Sequence, residues 1–142
     1  MKSRMSALAL VMFIVGPIAA HAQDAPVDSL ALARQYTSWL YAGEADSLVA
    51  SSTESAREGF STHSRWTQYA EQISRMAGEE VAVLEESWKL RNGDCQYYRL
   101  AAFSDMEDFM VVRWIITKEG RIGGVGVGPA EQTPPFDRES CP

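Results

Sequence analysis

Histidine and cysteine occur only twice each in the 142 residues, and basic side chains are outnumbered, 13 Lys+Arg against 19 Asp+Glu. Catalytic zinc needs three N, S or O ligands, commonly histidines, so a zinc enzyme is all but excluded. The motifs H-E-x-x-H and G-x-S-x-G are also missing, which removes zinc proteases and the hydrolase nucleophile elbow. A net charge of −6 and a pI near 4.9 exclude a nucleic-acid binder, which needs a basic stripe to meet phosphates. Long apolar runs are lacking too. The longest, Ala7–Ile18, is broken by Gly16-Pro17 and is too short for a lasting membrane span. No internal repeat is present. What remains is 46% hydrophobic and 23% charged, ordinary globular values at the length of one domain.

Residues 1–22 read as a signal peptide. Lys2 and Arg4 form a positive start, Ala7–Ile18 an apolar centre, and Ala20-His21-Ala22 places small residues where a signal peptidase reads them. Cleavage is expected after Ala22, with no Cys following that would carry a lipid anchor. The exported chain then keeps 11 of the 13 basic groups against 19 acidic ones, and His63 is its only histidine. Such a protein is periplasmic or secreted, where a disulfide is permitted. Cys95 and Cys141 are the only thiols, and the tail after Pro129 is long enough to bring them together. A Cys95–Cys141 bridge is therefore expected.

The rest divides into a domain over 23–130 and a polar tail over 131–142. Asp28 can cap a helix running to about Tyr41 and ending at Gly43. Ala45–Ala50 reads as a short helix, and Ser51–Ser61 has room for one more turn. Ser61 or Thr62 then caps a long helix to Ala77, stopped by Gly78, with Trp66, Tyr69, Ile73, Met76 and Ala77 along one stripe. Beyond Gly78 the period changes to two. Glu80–Leu90, Cys95–Phe103, Phe109–Thr117 and Arg121–Gly128 are predicted as strands, joined by short links that include Asn92-Gly93. Helices followed by a meander predict an α+β fold, with N-terminal helices packed on a curved four-stranded antiparallel sheet.

A β2–β3 loop centred on Met106 would set Tyr98 opposite Trp114 and Arg99 opposite Arg113. Tyr98, Leu100, Ala102, Met110, Val112, Trp114, Ile116, Val125 and Val127 would then face the helices. The opposite face would be wet and would carry a Glu86–Arg99–Arg113 ladder. A slip of one residue exchanges the faces.

Helices carrying ALARQYTSWLYAGEADSL and RWTQYAEQISRMAGEEVAVLEE, followed by YYRLAAF, FMVVRWII and GRIGGVGVGPA, resemble the nuclear transport factor 2-like superfamily. Within it the chain looks like a bacterial secreted domain of unknown function, also found in front of hydrolases. The likeness covers about residues 27–130 and rests on Gly43-Glu44, Gly78 and a last strand running from Gly120-Arg121-Ile122 to Pro129. It implies a curved sheet around helices, often with an apolar pocket, in enzymes and non-enzymes alike.

Trp39, Trp66, Tyr69, Tyr98 and Trp114 can line such a pocket, or can simply fill the core. The glycine run from Gly123 to Gly128 is itself a strand with no helix after it, unlike a phosphate loop. Ketosteroid-isomerase-type chemistry needs a carboxylate in an apolar pocket. The face map puts none there, although Glu85 would face the pocket with a different register. No catalytic residue, metal or cofactor is assigned. The expected function is a non-catalytic exported module binding a small apolar ligand or an envelope protein partner. The alternatives are a small pocket isomerase and an accessory domain of a secreted hydrolase. A homodimer, where one forms, is expected through the sheet.

Overall fold

The computed structural model describes residues 26–130 and Cys141. The expected signal peptide and, apart from Cys141, the expected tail lie outside the described residues. Helix α1, Ser29–Ala42, begins where the Asp28 carboxylate accepts the Ala31 N–H at 2.9 Å. It ends at Gly43, whose φ of 72° lets its N–H turn back to the last carbonyls. Two short helices follow, α2 over Ala45–Ala50 and α3 over Glu54–Gly59. Thr62 caps α4, His63–Ala77. Ser61, the other expected cap, is buried and accepts the Trp66 indole N–H at 2.7 Å.

Four strands complete an α+β fold: β1 Glu80–Arg91, β2 Asp94–Phe103, β3 Met110–Ile116 and β4 Ile122–Pro129. They form one antiparallel sheet in the order β1-β2-β3-β4. Asn92 and Gly93 both have positive φ, 54° and 86°, so the β1–β2 turn is of the primed kind that matches strand twist. Register shifts interrupt β1 twice and the β3–β4 pair once, and such bulges bend a sheet locally.

Glycine is required at the end of α4. Gly78 has φ 76° and ψ −138°, and a Cβ there would lie 2.2 Å from Ser104 Oγ and 2.8 Å from the Asp105 carboxylate. The backbone on either side is tied to that loop, since Ser104 N–H meets the Glu79 carbonyl and Asp105 N–H the Ala77 carbonyl. Gly78→Ala should therefore cost about 2 kcal/mol, read as a lower urea midpoint with an unchanged slope. Stability equal to the parent's would show that the junction yields freely.

The face map needs correction. The structure pairs Tyr97 with Trp114, Tyr98 with Arg113 and Arg99 with Val112, one residue away from the expected register. On β3 the helix-facing residues are those expected, Met110, Val112, Trp114 and Ile116, but on β2 they are Cys95, Tyr97, Arg99, Ala101 and Phe103. Tyr98, Leu100 and Ala102 point away. The reason is that both phases of β2 are apolar enough to be buried, so alternation does not choose between them. The observed phase buries Tyr97 and Phe103 almost completely and brings Arg99 to two carboxylates. Nor is the far face wet throughout, for Ser87, Tyr98 and Val111 are buried there while Ile115 is exposed.

The core lies between α1, α4 and the sheet. Trp114 is its centre, with ring centroids 5.7 Å from Tyr36 and 6.0 Å from Trp66. Its indole N–H donates to Thr37 Oγ1 at 2.9 Å, and that hydroxyl donates in turn to the Ala33 carbonyl at 2.8 Å. A polar atom in the middle of the core is thereby satisfied.

Candidate functional site

Along its outer edge α4 presents Arg65, Tyr69, Gln72 and Met76, which lie one above another at helical spacing. Alternation on β4 directs Val125 and Val127 to the same side of the sheet, where they pair with Trp114 and Val112. Helix and strand leave a groove between them. Its main part, about 430 Å³, is lined by Tyr69, Gln72, Ile73, Met76 and Ala77 of α4, Met106 of the β2–β3 loop, Met110, and Val127–Pro129 of β4. A smaller hollow of about 280 Å³ lies beside it toward the start of α4, between Phe60, Arg65, Trp66, Tyr69 and Val125. Tyr69 is a wall of both. The larger volume falls within the range of small-ligand sites.

Six methionines are present in the chain, and the three that lie outside residues 1–22 (Met76, Met106 and Met110) all meet in this groove. Thioether side chains are flexible and polarizable, and they suit surfaces that adapt to apolar partners. Met76 is 63% exposed, an unusual position for a large apolar side chain. The Gln72 amide, 3.6 Å from the Met76 sulfur, holds it over the opening. The lining of the main groove contains no carboxylate, imidazole or thiol.

A second polar cluster lies between α1 and the β1–β2 edge. Glu86 and Arg99 are paired across the strands, and Arg99 Nη1 reaches Glu86 Oε1 at 3.3 Å. The other edge of the Arg99 guanidinium grips Glu80 at 2.5 and 3.0 Å. From α1, Arg34 clasps Glu86 with two contacts of 2.9 and 3.0 Å. The Tyr97 hydroxyl donates to Glu86, and the Tyr41 hydroxyl donates to Glu80 at 2.9 Å. Two carboxylates and two guanidinium groups balance one another.

The Arg34 hydrogen bond, followed by that of Tyr97, holds the Glu86 carboxyl down at about 2 against the opposing effect of burial. Burial in turn raises the Tyr97 and Tyr41 phenols, helped by the adjacent carboxylates. At neutral pH Glu86 is thus a fixed anion and the two phenols are fixed donors. A pocket isomerase needs a carboxyl pushed the other way.

The expected ladder is therefore divided. Glu86 and Arg99 meet, but on the helix-facing side, while Arg113 lies on the far face across Gly126, where a Cβ would come within 3.0 Å of its guanidinium. This also corrects the expectation that the helix-facing surface holds no carboxylate, since Glu80 and Glu86 are both there. Of the five expected pocket aromatics, Tyr69 and Trp66 touch the groove, with Trp66 only 2% exposed. Trp114 is core. Trp39 rests against Tyr36 at 5.8 Å. Tyr98 belongs to the far face. Sequence reasoning missed Gln72 and Met106 as lining residues, and Arg34, Tyr41, Glu80 and Tyr97 in the charged cluster. Met76 in the α4 stripe was the available signal for the groove; Met106 and Met110 reach it only through the path of the β2–β3 connection.

Cys95 and Cys141 are joined, with Cα atoms 5.4 Å apart. Among the described residues no helix is long and apolar enough to cross a membrane, and no group of three or more potential ligands could hold a metal ion. Compared with protein-family models, curated proteins and solved structures, the chain finds no match.

Proposed function

We propose that this chain is a non-catalytic, exported binding domain of the nuclear transport factor 2-like kind, whose ligand is a small apolar molecule seated in the α4–β4 groove. The observation that carries this is the meeting of Met76, Met106 and Met110 around an open cavity with no titratable carboxylate, imidazole or thiol in its lining. Export is supported by the leader-like residues 1–22 and by the Cys95–Cys141 bridge, which suits an oxidising compartment. The family assignment is supported by the quoted segments and by the succession of helices and meander. A catalytic reading has less to stand on, because Glu86 is held ionised by Arg34 rather than raised by burial.

The test is a fluorescence titration with N-phenyl-1-naphthylamine, a neutral apolar probe, on the purified, disulfide-intact protein. Saturable binding at one site is expected. Met76→Gln, at an exposed position, should leave stability within about 0.5 kcal/mol of the parent. It should also weaken the probe by roughly fivefold, the equivalent of about 1 kcal/mol of lost apolar contact. No saturable binding, or an unchanged affinity in Met76→Gln, would count against the groove as the site.

A further inference from the structure

The groove has two unlike ends. The Met76 end is apolar, walled by methionines and Pro129, while the other end is walled by Arg65. Among the described residues Arg65 meets no carboxylate, although Arg34 and Arg99 are ion-paired and Arg121 is bound to the carbonyls of Ala50 and Ser52. Asp46, near the same helix start, is engaged with His63 at 2.9 Å. A guanidinium with no carboxylate partner among the described residues thus stands at one mouth of an apolar track.

Resting on the binding reading above, we infer that the ligand is a single-chain amphiphile with a carboxylate head, its head on Arg65 and its acyl chain running along α4 toward Met76. Arginine suits the head because its planar fork meets both carboxylate oxygens. The length also fits. Arg65 and Met76 are eleven residues apart on α4, about 16 Å at 1.5 Å per residue. An extended chain built of C–C bonds of about 1.5 Å advances about 1.3 Å per carbon, so about 12 carbons fill the track. The excess of 19 acidic over 11 basic groups in the exported chain works against an anion at long range. That field is screened beyond about 8 Å at physiological salt, and the contact with Arg65 decides the local balance.

Displacement of N-phenyl-1-naphthylamine by dodecanoate, methyl dodecanoate and dodecanol, each below its aggregation threshold, tests this directly. Dodecanoate is expected to bind about tenfold more tightly than the alcohol or ester, as one charge-assisted contact allows. Arg65→Gln, an exposed change, should abolish that preference by bringing dodecanoate down to the affinity of dodecanol for the same variant. Equal affinities for the three ligands in the parent, or a preference that survives in Arg65→Gln, would overturn the carboxylate assignment and leave the apolar groove standing. Failure of the probe itself to bind would overturn both.

Discussion

Removing the Cys95–Cys141 bridge should destabilise the folded protein by about 4 kcal/mol and lower its Tm by roughly 15 °C. The two residues are 46 apart in sequence, and in the chain-entropy picture a loop of that length restricts the unfolded ensemble by about this amount. The bond also fastens the end of the chain to the centre of the fold, because Cys95 is 1% exposed within the core and Cys141 packs against the same cluster. Cys141→Ala isolates the loop constraint, since it leaves Cys95 in place to fill its own volume. Cys95→Ala removes the constraint and a core side chain together, and should cost about 1 kcal/mol more. Calorimetry of the parent with and without reductant completes the set. A Tm that reductant does not change would mean that the chain beyond Pro129 contributes nothing to the stability of the domain.

How legible these features were in the sequence depends on the range over which each is decided. Asp28, Gly43, Thr62 and Gly78 mark helix ends by chemistry confined to one turn, and the elements begin and end within a residue or two of them. Asn92-Gly93 fixes the β1–β2 register because only a few residues accept two positive φ angles in succession. The phase of β2 is different. Cys95, Tyr97, Ala101 and Phe103 make one apolar row, and Tyr98, Leu100 and Ala102 make another of similar quality. The choice between them is made by partners remote in sequence, Glu80 and Glu86 on β1. Arg99 looks like a solvent-side residue until those partners are in place. The groove follows the same rule. Tyr69 and Met76 stand in the α4 stripe and can be found from spacing alone, whereas Met106 comes from a loop whose path the periodicity does not specify.

The same remote partners make Arg99 the second place where a single change should be costly. Arg99→Met preserves the length and much of the volume of the side chain but leaves Glu80 and Glu86 facing each other on the helix side of the sheet. Their side chains are only 13% and 21% exposed, so water compensates incompletely. Breaking a fully buried pair costs about 3–5 kcal/mol, and partial exposure places this case near 3. The loss should depend on pH in a defined direction. Glu86 has a folded-state pKa of about 2 against an ordinary value of 4.5. In the parent, its hydrogen bonds from Arg34 and Tyr97, with a smaller part from the Arg99 charge, therefore stabilise the fold fully above about pH 4.5, and that stability is lost as pH falls toward 2. In Arg99→Met, Glu86 keeps Arg34 and Tyr97 but loses the Arg99 charge, so its protonation costs the variant less than it costs the parent. The gap between parent and variant should be about 3 kcal/mol at pH 7 and should narrow as pH falls from 4.5 toward 2, as read by urea unfolding at each pH. A gap that stays constant down to pH 2.5 would assign the cost to lost packing of the arginine stem rather than to charge.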